Sequence, residues 1–170
     1  MITLHLSGQK IFSNSEEAFS LREKSSFGEK KAGKVEYSDF EALYILENGK
    51  ANLLSGKKQL SFDDLTEKLM KRDKKLETKY AVYRDLRKKG YILKTALKFG
   101  AEFRVYDRGV KPGESHSSWL LHTVQESDKF NWHEFAAKNR VAHSTKKKLL
   151  IGIVDSESSV SYYEISWKKT

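Results

Sequence analysis

Cysteine is absent from this 170-residue chain, which excludes a disulfide scaffold, a thiol nucleophile and a thiolate metal site. Absent too is any apolar run long enough to span a bilayer. The opening Met1-Ile2-Thr3-Leu4-His5-Leu6 lacks the basic and apolar regions of a signal peptide. A cytoplasmic protein with no membrane partner is expected. The five histidines, at positions 5, 116, 122, 133 and 143, form no His-x-x-x-His pair and have no clustered carboxylates beside them. A zinc or two-metal centre therefore lacks its ligand pattern, and no metal or cofactor is expected. No internal repeat of fixed period is present.

What the chain has is an ordinary globular balance, 38% hydrophobic and 32% charged residues, with a net charge of +9. Excess lysine and arginine concentrate polyanions and favour salt-dependent binding to phosphate backbones. The same surplus also describes a solvated lysine-rich surface, so charge alone does not identify a nucleic-acid partner.

Ile2–Leu6 and Lys10–Phe12 alternate and can form a hairpin around Ser7-Gly8-Gln9. Residues 22–34 are polar with two glycines and read as a mobile loop. A helix starts at Ser38, with Glu41 as its capping-box partner, Asn48-Gly49 as its stop, and Phe40, Leu43 and Tyr44 on one face. A second starts at Ser61 and aligns Phe62, Leu65 and Leu69. The basic stretch Lys71–Lys75 reads as a boundary. Beyond it, a helix over about Glu77–Lys89 buries Val82, Tyr83 and Leu86 and ends at Gly90. Tyr91–Thr95, Glu102–Tyr106 and Trp119–Val124 read as strands. Asn131 caps a further helix, Leu149–Val154 is a buried central strand, Asp155–Ser159 an acidic turn and Val160–Trp167 the closing strand. The fold class is α/β in the mixed α+β sense. A small N-terminal α+β subdomain covers residues 1–73, and a mixed-sheet domain with flanking helices covers 76–170.

Three segments carry candidate chemistry. In Glu102–Tyr106, period-two alternation assigns Phe103 and Val105 to the core and Glu102, Arg104 and Tyr106 to a polar face. Arginine beside a strand-end phenol favours its ionised form; taken alone, Tyr106 reads first as an amphipathic residue at a domain rim. His116 ends a loop containing Lys111-Pro112-Gly113, and a histidine there can move protons near neutral pH or simply lie on the surface. Lys146, Lys147 and Lys148 stand where a helix feeds the central strand, a position at which α/β enzymes gather functional groups. An ammonium held there can stabilise a phosphorane; composition does not single out which lysine.

Together, Lys94–Tyr106 with its Lys-Phe-Gly-Ala-Glu-Phe-Arg-Val-Tyr, His116, and Arg140-Val141-Ala142-His143-Ser144 with Lys147 resemble the archaeal tRNA-intron splicing endonucleases. The resemblance spans about Glu77–Trp167 and is weaker over Phe40–Glu47. It implies a metal-independent ribonuclease with Tyr106 as general base, His116 as general acid and Lys147 as the stabilising cation. Its products are a 2′,3′-cyclic phosphate and a 5′-hydroxyl, its substrate the bulge–helix–bulge of precursor tRNA. The resemblance also implies that Arg140 stacks on a bulged base, with Trp167 the candidate partner near the C terminus. It further implies that the acidic loop with Asp155 and Glu157 meets a basic pocket of a neighbouring subunit, in a homotetramer or a pairing with a structural paralogue. The competing expectation is a non-catalytic RNA-binding or structural subunit; an unrelated basic binding module is the third.

Overall fold

The computed structural model describes residues 1–170 as two units, Met1–Leu76 and Glu77–Thr170. Both are mixed α+β, as the sequence pattern predicts. No helix is long and apolar enough to cross a membrane.

The first unit contains strands β1 (Ile2–Ser7), β2 (Lys10–Ser13), β3 (Glu29–Lys31), β4 (Lys34–Tyr37), β5 (Ala51–Ser55) and β6 (Lys58–Leu60). They form one sheet in the order β3-β4-β2-β1-β5-β6, parallel only between β1 and β5. Alternation along the strands buries Ile2, Leu4, Ile11, Val35 and Leu53. Helices α1 (Glu16–Ser25), α2 (Asp39–Glu47) and α3 (Phe62–Met70) add Ala18, Ala42, Leu43, Ile45, Leu65 and Leu69 to the core. The capping boxes at Ser38/Glu41 and Ser61/Asp64 are both formed. The buried face of α2 differs from the one expected: Ala42, Leu43 and Ile45 are buried, while Phe40 and Tyr44 are half-buried.

Residues 22–34 are not a mobile loop. Ser15 caps α1, and acidic Glu16 and Glu17 in the first turn with Arg22 and Lys24 in the last suit its dipole. The two glycines of the segment have specific backbone roles. Ala32-Gly33 joins β3 to β4 with φ of 48° and 75°, the two positive values a tight hairpin turn requires. Gly28, at φ 77°, passes close to Val35 and lies near the Glu36 carbonyl. Its amide donates to Glu41 Oε1 at 3.0 Å, while Ser38 N donates to Oε2 at 2.9 Å. The buried Glu41 thus ties the start of α2 to the bend before β3.

The second unit contains all but the first residue of α4 (Leu76–Lys88), followed by β7 (Ile92–Ala96), β8 (Ala101–Tyr106), β9 (Trp119–Gln125), α5 (Trp132–Ser144), β10 (Lys148–Val154) and β11 (Val160–Ile165). The sheet order is β11-β10-β9-β8-β7, with β9 and β10 parallel and the other pairs antiparallel. Helix α4 covers one face: Tyr83 tilts against Phe103 at 5.5 Å, and an added Cβ on Gly152 would meet Val82 at 3.0 Å. On the same face Tyr162 donates to Asp85 at 2.6 Å. Helix α5 covers the other, where Ala142 and Phe135 pack with Leu120, Leu149 and Ile151.

Gly28→Ala meets both a left-handed backbone and a steric clash, whereas Gly8, also at positive φ, has open space around it. Gly8→Ala is expected to cost about 1 kcal/mol and Gly28→Ala about 2–4 kcal/mol. Urea unfolding measures both. Equal losses would mean that the approach of Gly28 to Val35 imposes no packing constraint.

Candidate active site

A parallel strand pair cannot be closed by a tight turn and needs a crossover, which α5 provides between β9 and β10. This topology brings the starts of β9 and β10 and the end of α5 to one edge of the sheet. Since β8 is antiparallel to β9, its last residue, Tyr106, arrives at the same edge. Val105, Trp119 and Lys148 lie in one row across the three strands. The expectation from α/β enzymes, in which sites sit beyond the carboxyl ends of parallel strands, is reversed. Here the amino ends of the parallel pair gather the candidate residues.

Helix α5 starts as expected, with Asn131 accepting from Glu134 N at 2.8 Å. At its end, Lys146 N donates to His143 O at 3.0 Å and Lys147 N to Ala142 O at 2.8 Å. This is the Schellman pattern, which calls for a left-handed residue and usually uses glycine. Lys146 fills that position with φ 58°. The chain reverses there and delivers Lys147 to the sheet edge, while the Lys148 ammonium donates to Glu164 Oε1 at 3.2 Å. Lys147 is half-buried, and its ammonium donates to Ser117 O at 3.0 Å. The next residue repeats the tie, Lys148 N to Ser118 O at 3.0 Å.

These bonds fasten the segment that carries His116. Ser117 is buried, Ser118 N donates to Val105 O at 2.9 Å, and Ser118 Oγ donates to Asp107 Oδ2 at 2.9 Å. His116 itself is exposed, one residue before the carbonyl that receives Lys147. Tyr106 departs from the expected polar face: it is only 5% exposed. The alternation holds, but the face opposite Phe103 is the one covered by α5, so it is a second interior. Of the arginines flanking Tyr106, Arg108 lies over the Tyr91 ring at 5.5 Å, and Tyr91 packs edge-on against Trp119. Arg104 faces inward and acts on Lys147: burial first, then the charge of Arg104, holds the lysine below its ordinary pKa.

Arg140 is exposed on α5. Trp167 is half exposed and meets His143 edge-on at 4.5 Å. His143 follows Arg140 by three residues and shares its helix face, so Trp167 packs against the same last turns of α5 that carry Arg140. The acidic turn is more committed than its composition suggests. Asp155 Oδ1 accepts from Glu157 N and Ser159 N, each at 2.9 Å, so its carboxylate builds the turn while Glu157 is exposed.

Sequence reasoning missed the buried support beneath α5. His122 is 3% exposed, with Nδ1 3.3 Å from Glu102 Oε2 and 3.2 Å from Lys138 Nζ. Burial opposes the charge on Glu102, but the hydrogen bond and charge of His122 with the Thr123 amide outweigh it and hold its pKa below the usual carboxylate range. The signal was a Glu and a His on neighbouring strands, which becomes a pair only when the strand register is known. No group of three or more His, Cys, Asp or Glu side chains converges to hold a metal ion.

Comparison with known proteins adds to this geometry. The family described as tRNA intron endonuclease, catalytic C-terminal domain, matches residues 76–162, and that described as tRNA intron endonuclease, N-terminal domain, matches residues 2–66. The chain is 44% identical over 169 residues to the tRNA-splicing endonuclease of Thermococcus onnurineus, covering 99% of this chain and 97% of that one. It is 39% identical over 170 residues to that of Pyrococcus furiosus, covering 99% and 98%. With that of Nanoarchaeum equitans the identity is 46% over 135 residues, 76% of this chain and 86% of the other.

Lys146 supplies a left-handed cap at a cost that glycine would not incur. Lys146→Gly is therefore expected to stabilise the protein by about 0.5–1 kcal/mol in urea unfolding, since the relieved strain exceeds the added freedom of the unfolded chain. A loss of stability would mean that the lysine side chain, and not the turn, secures this junction.

Proposed function

The chain belongs to the tRNA intron endonuclease family, and from that premise we propose that it cuts precursor tRNA at the bulge–helix–bulge junctions of an intron, in the cytoplasm. Tyr106 takes the proton of a ribose 2′-hydroxyl, whose oxygen attacks the adjacent phosphorus. The O2′–P bond forms as the P–O5′ bond breaks, and His116 gives a proton to the departing 5′-oxygen. The ammonium of Lys147 stabilises the charge of the pentacoordinate phosphate. The ends left are a 2′,3′-cyclic phosphate and a 5′-hydroxyl. The nucleophile belongs to the substrate, so catalysis reduces to alignment and proton transfer, which side chains supply without a metal.

The observation that carries this reading is the edge where β8 ends and β9 and β10 begin. Lys147 Nζ donates to the carbonyl of Ser117, next to His116, and the Ser118 amide is bonded to the strand that ends in Tyr106. A base, an acid and a cation supported by one hydrogen-bonded frame suit phosphoryl transfer. Arg140, exposed on α5, is suited to stack on an extruded base, the mode by which structured RNA is commonly read. Trp167, held by His143, is its candidate companion.

One chain carries one such set, while an intron has two junctions, so the active form contains at least two catalytic chains. A homotetramer or a pairing with a structural paralogue satisfies this, and the exposed Glu157 is the candidate contact for a basic pocket on a neighbour.

Cleavage in EDTA is expected to proceed at the untreated rate, and His116→Ala to lower the single-turnover rate by about 10²–10⁴-fold with little change in RNA affinity. Loss of cutting in EDTA with recovery on a divalent ion, or a normal rate for His116→Ala, would each sink the mechanism. The assembly is tested with Glu157→Lys alone, because replacing Asp155 would also dismantle the turn. Sedimentation should reveal a smaller species; wild-type mass with full activity would leave the loop as a turn only.

A further inference from the structure

Arg104 has no place in the reaction as written, yet it stands inside the frame that holds the reacting groups. It lies two residues before Tyr106 on β8, so both side chains leave the strand on the same face. Its cross-strand neighbours are Lys94 and Leu120, neither of which offers a carboxylate. Glu102, two residues earlier on that face, is occupied by His122. The Nε of Arg104 is buried with no acceptor. Its charge also acts on the Lys147 ammonium.

Two cations near each other, one with a buried donor left unmet, are unfavourable in the free protein. One kind of group relieves the repulsion of the pair: an anion with several acceptor oxygens, seated between the guanidinium and the ammonium. A fork of planar donors matches a phosphate, whose oxygens it can engage in pairs. We propose that Arg104 binds a non-bridging oxygen of the scissile phosphate opposite Lys147, so that the phosphate is clamped between two cations during transfer. This rests on the cleavage reaction proposed above and adds to it a fourth residue that touches the substrate.

The test uses the full chain and a bulge–helix–bulge RNA under single-turnover conditions, with the scissile phosphate either unmodified or carrying sulfur at one non-bridging oxygen. Arg104→Met keeps the aliphatic stem that lines the buried path. It is expected to cut about 10²–10³-fold more slowly with nearly unchanged RNA affinity. In wild type, sulfur at the oxygen facing Arg104 should slow cleavage, and Arg104→Met should lose that penalty, which changes the preference between the two phosphorothioate isomers. Arg104→Lys keeps the charge without the fork and should recover part of the rate. If Arg104→Met does not fold, the lysine variant carries the test by the same change in isomer preference. Wild-type cleavage by Arg104→Met, or slow cleavage with the isomer preference intact, would overturn the clamp. If wild type does not cut the RNA at all, the failure lies in the proposed reaction and not in Arg104, because the variants are compared only against a cutting parent.

Discussion

The parallel pairing of β9 with β10 is the constraint on which the rest of the second unit depends. A parallel pair demands a crossover, the crossover is α5, and its last turn must therefore end beside the start of β9. The register has little tolerance. A slip of one residue would send each β10 side chain to the opposite face, exchanging the interior under α5 for the interior under α4. It would also separate Lys148 N from Ser118 O and Lys147 Nζ from Ser117 O, the bonds that join the lysine to the histidine loop. Apolar packing of Leu149 and Ile151 against Leu120 and Ala142 thereby holds a polar edge in alignment. Hydrophobic burial supplies the energy, and hydrogen bonds at the rim supply the position.

Electrostatics follows from the same geometry. Sequence segments far apart deliver positive charge to one place: Arg104 from β8 and Lys147 from the turn before β10. The interior just beneath the site is treated differently. There the Glu102 carboxylate is met by His122 and by the Thr123 amide, as a buried charge must be. The contrast separates a network that satisfies itself from a group that does not. The first supports α5 against the sheet; the second leaves the Arg104 Nε without an acceptor.

Several features are legible in the sequence because they rest on interactions within a few residues. The capping box at Ser38, the helix start at Ser61, the Asn131 cap and the left-handed Gly90 after α4 are all local, and each is formed. The buried residues Val82, Tyr83 and Leu86 of α4 follow from helical periodicity alone. The motifs around Tyr106, His116 and Lys147 likewise need only their order along the chain, and they point to the family that the relatives support.

The expectations that fail depend on residues distant in sequence. Gly28 and Gly33 have the composition of a loop, and only Val35 and the β3–β4 hairpin around them give each a fixed place. Alternation assigns Tyr106 to a polar face because it distinguishes two faces without telling which of them a helix will cover. The carbonyl that receives Lys147 belongs to Ser117, thirty residues away, and a backbone acceptor has no signature in composition. Sequence alone therefore determined the caps, the buried face of α4 and the family. Tertiary structure decided burial, strand register and the partners of each charged group, because these depend on which distant segments share an edge.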